Sequence, residues 1–406
     1  MLIIDEISTC DVHILGRIDT SLRVILRRPQ LRFGGLHILL AGNWLQQLPV
    51  ARQPAYLQLS RHAIATTAIE STDSAIYIDR IRGAEAYSNV NTVVMITENM
   101  RYRADPIWRA ILERWRTGIY SQSDIDSIND ANYHANWNAA HAASAAFCPI
   151  IVTLNALRSE FNSSSLPTFC RKINRPLHEF YADVSRACFP LTKTQSKPLR
   201  ALRDDKTGGI PIVLGIAIGS PVQCSKNASS QLKLSNGSIG CVVDFIGDSN
   251  DSVVITMRNG IEYHIHSRPP QVAFVQLLGY EDEVFLPDLP RGIVLVRLRH
   301  ERSVKIQLPA RTFTVAVDQV PLVPAFALIS EKFQGLTVNK MILGPLRHST
   351  RHAPQKSSFY VAVTRVKSLQ QLYLMEPLSL QFLHYFKPRP DALAENARLE
   401  GLDSTS

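Results

Sequence analysis

The chain has 406 residues, and its 44 Lys and Arg against 35 Asp and Glu give a formal net charge of +9. With 45% hydrophobic and 19% charged residues, the composition excludes a disordered chain, and the length predicts two or three domains. No apolar run is long enough for a membrane span, the start resembles no secretory signal, and the six cysteines form no C-x-x-C pair. We therefore expect a soluble intracellular protein whose basic charge permits a polyanionic partner.

Two apolar segments near the N-terminus are typical of strands in a parallel sheet. Residues 2–4 precede Asp5-Glu6, and residues 36–41 precede Gly42. Between them, apolar residues at helical spacing predict a helix over residues 11–28. Because neither strand alternates apolar with polar residues, we expect a sheet covered on both faces. Ligands bind such sheets at the carboxyl ends of the strands, where Asp5-Glu6 and the loop 42–50 both lie.

The next part of the chain alternates strand and helix patterns. Strands are predicted at residues 93–96 and 150–152, and helices at 106–117, after Ser121 and at about 155–161. Residues 129–146 are rich in Asn and Ala and predict a polar connector, which contains His134 and His141.

The character of the sequence changes at about residue 205. From there to about residue 320, short apolar runs alternate with Gly-Gly and Asn-Gly turns, which predicts a small β-barrel inserted between halves of an α/β domain. His264 and His266 share one face of a predicted strand, and without a third ligand we expect a structural role. Strand and helix patterns return from Val320 to about Phe386, and we expect the polar tail after Lys387 to be loosely packed.

Five segments beside predicted buried elements carry groups suited to phosphoryl transfer. An aspartate at a strand end, such as Asp5, can hold magnesium, and an adjacent glutamate, such as Glu6, can orient and deprotonate water. Gln46 could sense a terminal phosphate, and Arg101 could neutralise a departing one. Each segment alone is also consistent with a solvated strand end, an ordinary turn or a surface charge. The five segments are residues 2–8, 42–50, 97–101, 325–337 and 359–366.

In this order, the segments resemble the motifs of the PIF-type (petite integration frequency) DNA helicases, RecD-like members of helicase superfamily one, and especially the versions carried by Helitron transposons. Residues 2–8 are similar to their Walker B motif, 34–50 to motif III, 99–101 to motif IV, 332–337 to motif V and 360–366 to motif VI. The Asn236-Gly237 turn is similar to a turn of the family's barrel. The resemblance extends from residue 1 to about residue 377.

The resemblance implies an α/β fold of two RecA-like P-loop NTPase lobes, with an inserted Src-homology-three-like β-barrel that faces DNA. It implies a 5′-to-3′ helicase that couples ATP hydrolysis to translocation, with Mg²⁺ as cofactor, in DNA repair, recombination, telomere maintenance or transposition. Implied partners are ATP, single-stranded DNA and forked duplex DNA, for a monomer in the nucleus or mitochondrion. Predicted boundaries are 1–90 for the first lobe, 91–204 and 319–386 for the second, 205–318 for the barrel and 387–406 for the tail.

The resemblance also implies roles for particular residues. Asp5 would hold magnesium, and Arg101 and Arg365 would act as arginine fingers. The implied catalytic residues are Asp5, Glu6, Gln46, Arg101 and Arg365, and the implied nucleotide-binding residues are Gln46, Arg101, Lys332, Gln334, Gly335 and Arg365. Candidate DNA-binding groups are Lys332, Arg347, Arg351 and Lys356, together with His348 and His352, for which a solvated loop is the alternative.

The chain departs from the family pattern at three places. No G-x-x-x-x-G-K-[ST] phosphate-binding loop occurs in the 406 residues. Because Met1 begins inside the Walker B strand, we expect a truncated first lobe with exposed apolar faces and a strand edge. Asn43 stands where the family usually has Asp, and Glu331 where motif V often has a His facing DNA.

Three hypotheses follow from the resemblance and the departures. The first is an ATP-dependent DNA helicase, incomplete in this chain. The second is a catalytically dead, helicase-derived DNA-binding or interaction module. The third is a transposon relic that does not fold.

Overall fold

The computed structural model describes residues 1–49, 53–57, 74–133, 148–186, 189–192, 197–308, 311–333, 335–346 and 354–403. By the density of contacts, the chain divides into two compact units. Unit 1 comprises Met1–Ala142, Gln334–Asn339 and His348–Ser406, and unit 2 comprises Ala143–Phe333 and Lys340–Arg347. The domain boundaries drawn from the sequence stay predictions.

Both helices and strands are present along the described chain. The α-helices are α1 (Val12–Ile25), α2 (Ser74–Ser88), α3 (Pro106–Arg116), α4 (Gln122–Asn132), α5 (Asn155–Ile173), α6 (Ser358–Val363), α7 (Leu380–Leu383) and α8 (Pro390–Glu400). The first nine strands are β1 (Leu2–Ile4), β2 (Ile38–Leu40), β3 (Ile150–Val152), β4 (Leu177–Tyr181), β5 (Asp183–Arg186), β6 (Phe189–Pro190), β7 (Val213–Ile216), β8 (Pro221–Cys224) and β9 (Ile239–Ile246). The others are β10 (Val253–Arg258), β11 (Ile261–His266), β12 (Val272–Leu277), β13 (Ile293–Arg297), β14 (Arg299–Leu308), β15 (Arg311–Gln319), β16 (Leu322–Pro324), β17 (Ala327–Ile329), β18 (Met341–Leu343) and β19 (Leu372–Leu374).

In unit 1, β1 and β2 pair in parallel, and the predicted helix between them is confirmed as α1. α1 packs closely against α2 at two glycines. A Cβ on Gly16 would lie 1.6 Å from the carbonyl oxygen of Asp79, and a Cβ on Gly83 would lie 1.9 Å from that of Val12. The two helices can therefore approach this closely only because both positions lack a side chain.

The β1–β2 sheet buries one of its faces. Its covered side meets a core that includes Leu15, Phe33 and Trp44, whereas Ile3 is 57% exposed and Leu39 47% exposed. The prediction of a sheet covered on both faces is wrong for the described residues, because no described element lies over Ile3 and Leu39. The prediction of an exposed apolar face is confirmed.

Two other predictions in unit 1 are wrong. Residues 93–96 form no strand, since Val93 makes only an isolated bridge with Asp403, and Ile96 is 91% exposed. The tail after Lys387 is not loose, because it forms α8, whose Ala392 is 2% exposed within the unit 1 core. Apolar residues at helical spacing in a short polar segment were sufficient to anchor this helix.

In unit 2, β17 and β18 flank β3 in parallel, which confirms the predicted strand at 150–152. The helix after it, α5, continues through Pro167 to Ile173 and is therefore much longer than predicted. The buried polar side chain of Asn162 on α5 donates to the carbonyl oxygen of Ala327 and accepts from its amide, fixing the helix on β17. In the part of the chain that the structure describes, no helix is long and apolar enough to cross a membrane.

The predicted β-rich region is confirmed: its strands pair antiparallel with one another, whereas β11 pairs in parallel with the earlier strand β4. Its largest sheet has the order β13-β12-β9-β8-β16. Two further sheets join strands of this region to earlier ones, in the orders β10-β11-β4-β7 and β14-β15-β5-β6. The region therefore shares its sheets with residues before 205, because β4, β5 and β6 belong to them.

A third histidine joins the two on β11. His178 on β4 is the register partner of His264, and its Nδ1 shares a hydrogen bond with Nε2 of His266 at 3.1 Å. The other nitrogen of His266, Nδ1, donates to Asp251 at 2.6 Å. No group of three or more His, Cys, Asp and Glu in the described residues could hold a metal ion, and the structural role of these histidines stays a prediction.

Candidate functional site

The carboxyl ends of β1 and β2 are held together where Asp5 and Glu6 follow β1. The amide of Ile7 donates to the carbonyl oxygen of Ala41 at 2.9 Å. Glu6 has a φ of 52°, and its amide donates to Oδ1 of Asp5 at 2.8 Å. A Cβ on Gly42 would lie 2.9 Å from Cγ2 of Ile7, so the close approach of the strand ends requires this glycine. The sharp turn leaves both carboxylates at the strand edge, as the sequence predicts.

The loop after β2 presents Gln46 between two fixed points. Oδ1 of Asn43 accepts from the amide of Leu45 at 3.0 Å, and the amide of Gln46 donates to the carbonyl oxygen of Asn43 at 3.0 Å. At the other end, Leu48 exchanges two hydrogen bonds with the side chain of Gln355, at 3.1 and 3.2 Å. Asn43 therefore supplies the acceptor that an aspartate would supply, so this departure from the family pattern preserves the turn.

Arg365 is a buried cation with neutral partners. It is 2% exposed, and its Nε donates to the carbonyl oxygen of Val361 at 2.9 Å. Its Nη2 donates to Oγ1 of Thr364 at 2.8 Å. Within the described ranges, no carboxylate oxygen forms an ion pair with it. Burial, and then the charge of Arg101, lower the pKa of Arg365 to about 10. The group remains charged at pH 7 and retains unmet attraction for an anion.

Arg101 converges on the same segment. Its Nη1 donates to the carbonyl oxygen of Thr364 at 3.1 Å, and the hydroxyl of Tyr102 donates to the same oxygen at 2.7 Å. The charge of Glu6 acts in the opposite direction to that of Arg101 and raises the pKa of Arg365. The two arginines that the sequence predicts as a pair are thus brought together, in the electrostatic field of Glu6. Tyr102 and Thr364 were not predicted, although each adjoins a predicted arginine in the sequence.

The strand edge fits a magnesium ion only in part. Asp5 is exposed, and the amide of Glu6 engages one of its oxygens. Mg²⁺ is usually held by one or two carboxylates together with substrate phosphates and water. Asp5 therefore suits a magnesium ion that also binds phosphate, whereas the described residues offer no complete protein cage.

The motif V residue Lys332 lies in unit 2, where it contacts the predicted barrel turn. Its Nζ donates to Oδ1 of Asn236, next to Gly237, which has a φ of 113°. Burial, and then the charge of Arg158, lower the pKa of Lys332. Glu331 accepts from the hydroxyl of Ser330 at 3.1 Å, so this unusual carboxylate is engaged locally.

The remaining candidates are placed differently. Gly335 is in unit 1, in an exposed left-handed conformation with a φ of 82°. Lys356 stacks over the ring of Tyr385, with Nζ 3.6 Å from its centroid, which points to packing as well as charge. The candidates Gln334, Arg347, His348, Arg351 and His352, and the connector histidines His134 and His141, lie outside the described residues.

Comparisons with known proteins show similarity to DNA helicases. Residues 1–109, which include Asp5, Glu6, Gln46 and Arg101, match the family model of the PIF1-like helicases. The chain is 22% identical over 380 residues to the ATP-dependent DNA helicase PIF1 of Danio rerio, covering 92% of this chain and 46% of that protein. It is 24% identical over 251 residues to PIF1 of Candida albicans, covering 61% of this chain and 24% of that protein. The chain thus spans less than half the length of these curated relatives.

The fold has a counterpart among solved structures. A Bacteroides Pif1 helicase in complex with ADP-AlF3 and single-stranded DNA superposes with a TM-score of 0.62 at 16% identity, covering 100% of this chain and 76% of that chain. At this identity the likeness shows the fold alone, a mixed α/β fold with two RecA-like lobes. Residues 1–109 are therefore similar in sequence to the PIF1-like helicases, and the whole chain shares its fold with a Pif1 helicase.

Proposed function

We propose that this chain carries the motor elements of an ATP-dependent DNA helicase that moves 5′-to-3′ on single-stranded DNA. The observation that carries the proposal is the pairing of Arg101 with the buried Arg365 in the field of Glu6. Two like charges held together, one of them without a carboxylate partner among the described residues, are unfavourable unless an anion joins them. A phosphate group carries the charge and the acceptors that such a pair requires.

In this proposal, each residue at the site has a separate task. Asp5 would hold Mg²⁺ through its free oxygen, and the metal would supply charge neutralisation on the phosphates. Glu6 would orient water and accept its proton, while Gln46 would contact the terminal phosphate. Arg101 and Arg365 would stabilise charge on the phosphate as it is transferred.

The DNA part of the proposal is supported by the contact between motif V and the barrel turn. Lys332 donates to Asn236, a contact through which the two segments could be coupled. Single-stranded DNA would be held by basic groups on its phosphates, with Lys356 and Arg351 among the candidates. We extend the proposal to forked duplex DNA as substrate, a monomeric state and action in the nucleus or mitochondrion.

Turnover of ATP by the purified protein, with Mg²⁺ and single-stranded DNA, tests the proposal. We expect Glu6→Gln to bind ATP but to hydrolyse it about 100-fold more slowly, since the base for water is removed. Asp126→Asn, an exposed carboxylate on α4, is the matched control. Near-normal turnover in Glu6→Gln would contradict the assigned role. The longest product of the gene should be tested beside the 406-residue chain.

The alternative is a helicase-derived DNA-binding module without turnover. No G-x-x-x-x-G-K-[ST] sequence occurs within these residues, and a module that lacks this loop would lack its backbone phosphate contacts. Salt-sensitive binding to single-stranded DNA, without ATP turnover in any length of the protein, would support this alternative. A cooperative thermal transition would contradict the third hypothesis, a chain that does not fold.

A further inference from the structure

We infer that α8 is a positioning element for the Gln46 loop, acting through Glu395 and Tyr87. This inference rests on the proposed function of Gln46, and nothing in the motif pattern assigns a role to α8. The three side chains that carry it, Trp44, Tyr87 and Glu395, are 4%, 5% and 7% exposed. They form one continuous hydrogen-bonded chain from the loop to the helix.

The first link of the chain is at the loop itself. Trp44 lies two residues before Gln46, and its Nε1 donates to the hydroxyl of Tyr87 on α2 at 2.8 Å. The Trp44 ring also packs edge-on against Tyr87, with centroids 5.3 Å apart, and against Tyr56 at 4.8 Å. The hydrogen bond and the two ring contacts therefore fix the position and orientation of the Trp44 side chain.

The second link connects α2 to α8. The Tyr87 hydroxyl, having accepted from Trp44, donates to Oε1 of Glu395 at 2.6 Å. Burial, and then the hydrogen bond to Glu395, raise the pKa of Tyr87, so the hydroxyl keeps its proton at neutral pH. Glu395 is in turn paired with Arg398 one turn later on the helix, at 2.7 Å.

The start of α8 also lies beside Gln46. A cavity of about 320 Å³ is bordered by Gln46 and Trp44 and, from the α8 segment, by Arg389 and Ala392. With Leu48 held by Gln355 on the other side, the backbone around Gln46 is fixed before and after the residue. Breaking the Tyr87 link would leave the buried Nε1–H of Trp44 without its acceptor, whereas Oε1 of Glu395 would keep its bond from Arg398, and the loop would open to satisfy Trp44.

Hydrogen exchange of the loop amides tests the inference without relying on hydrolysis. The amides of Leu45, Gln46 and Leu48 are hydrogen-bonded, and thus protected, in the native loop. We expect Tyr87→Phe to raise their exchange rates about tenfold, since one buried hydrogen bond of this kind is worth about that factor. Tyr120→Phe is the matched control, because it also removes a buried hydroxyl from unit 1, one that bonds to Phe386 rather than to the loop.

The controls decide between a positioning role and mere stability. Equal exchange in the Tyr87 and Tyr120 variants would overturn the inference. Should Tyr87→Phe fail to fold, Glu395→Gln provides the second test, since it keeps an acceptor and should raise loop exchange severalfold. In the ATPase assay we expect Tyr87→Phe to lower kcat about tenfold with KM unchanged. If the unmodified protein hydrolyses no ATP, the proposed function fails, but the exchange comparison still decides the role of α8.

Discussion

Each unit buries a cluster of like titratable groups, and the two clusters differ in whether the buried group stays charged at pH 7. In unit 1, Arg365 is 2% exposed and remains a cation beside Arg101, and its hydrogen-bond partners among the described residues are neutral oxygens. In unit 2, burial and then the neighbouring His264 and His266 lower the pKa of His178 to about 4, so it is neutral at pH 7. A buried charge kept without a counter-ion indicates an anion site, whereas a group that loses its charge indicates packing.

The partners of the two clusters show the same contrast. The histidine cluster ends at Asp251, which also accepts from the Ser267 hydroxyl at 2.9 Å and from the Arg268 amide at 3.1 Å. The hydrogen-bonding capacity of the cluster is thus satisfied within unit 2. Arg365 lies in the electrostatic field of Glu6, and within the described residues it has no carboxylate partner, so a phosphate could supply the anionic acceptor. We expect variants to affect activity at one cluster and stability at the other.

The largest effect is expected for Arg365→Met. Removing this guanidinium should lower ATP turnover by about 1,000-fold, the loss typical of an arginine finger. Its lowered pKa means that the charge costs the folded state stability at every pH below about 10, so Tm should be unchanged or higher. Calorimetry measures Tm, and an ATPase assay on the same preparation measures turnover. Arg109→Met, at an exposed arginine of α3, is the control, and a large fall in Tm for Arg365→Met would contradict the interpretation.

At the histidine cluster, Asp251→Ala should lower the stability of the protein without affecting ATP turnover. It leaves the Nδ1–H of His266 without an acceptor and removes two further bonds, and should cost about 3 kcal/mol of unfolding free energy. Urea denaturation measures the loss, and ATP turnover should be unaffected at a temperature where the variant is folded. Glu262→Ala, which removes a half-exposed partner of His264, should cost under about 1 kcal/mol. Similar losses in the two variants would argue against a buried network.

The pH dependence of stability should report His178. Its folded pKa of about 4 is below the ordinary value of 6.5, so the unfolded chain binds the proton first. The free energy of unfolding that neutral His178 contributes should be complete above pH 6.5. It should fall by up to about 3 kcal/mol as the pH drops towards 4. Urea midpoints from pH 7.5 to 4.5 measure this. His178→Asn should flatten that part of the curve, while His300→Asn, at a more exposed histidine, should not.

The smallest effect is expected for Thr364→Val. This change removes the hydroxyl that accepts from Nη2 of Arg365 and leaves the carbonyl that Arg101 uses. Turnover should fall about tenfold, because Arg365 loses one of the bonds that orient it. Thr364→Ser keeps the hydroxyl and should restore most of the activity. If valine and serine behave alike, the neutral partners of Arg365 do not position it.

The sequence predicted the local features of the site well. The end of β1 at Asp5-Glu6, the helix α1 and the turn carrying Gln46 all follow from short-range patterns of apolar spacing, Gly and Pro. The strand predicted at 93–96 was wrong because an apolar run specifies a strand only when a neighbour supplies hydrogen bonds. The sequence did not predict α8 because the segment is mostly polar, and its helix is stabilised by burial of one face against the rest of the unit.

By itself, the sequence determined the order of the motifs, the residue types at each and the mixed α/β class, since these depend on neighbours within a few positions. Tertiary structure alone decided which groups meet. Arg101 reaches Thr364 across 263 positions, and Tyr87 reaches Glu395 across 308. His178 completes its cluster through strand pairing. Burial and charge at these sites arise from long-range packing, and the pKa of Arg365 and the role of α8 follow from that packing.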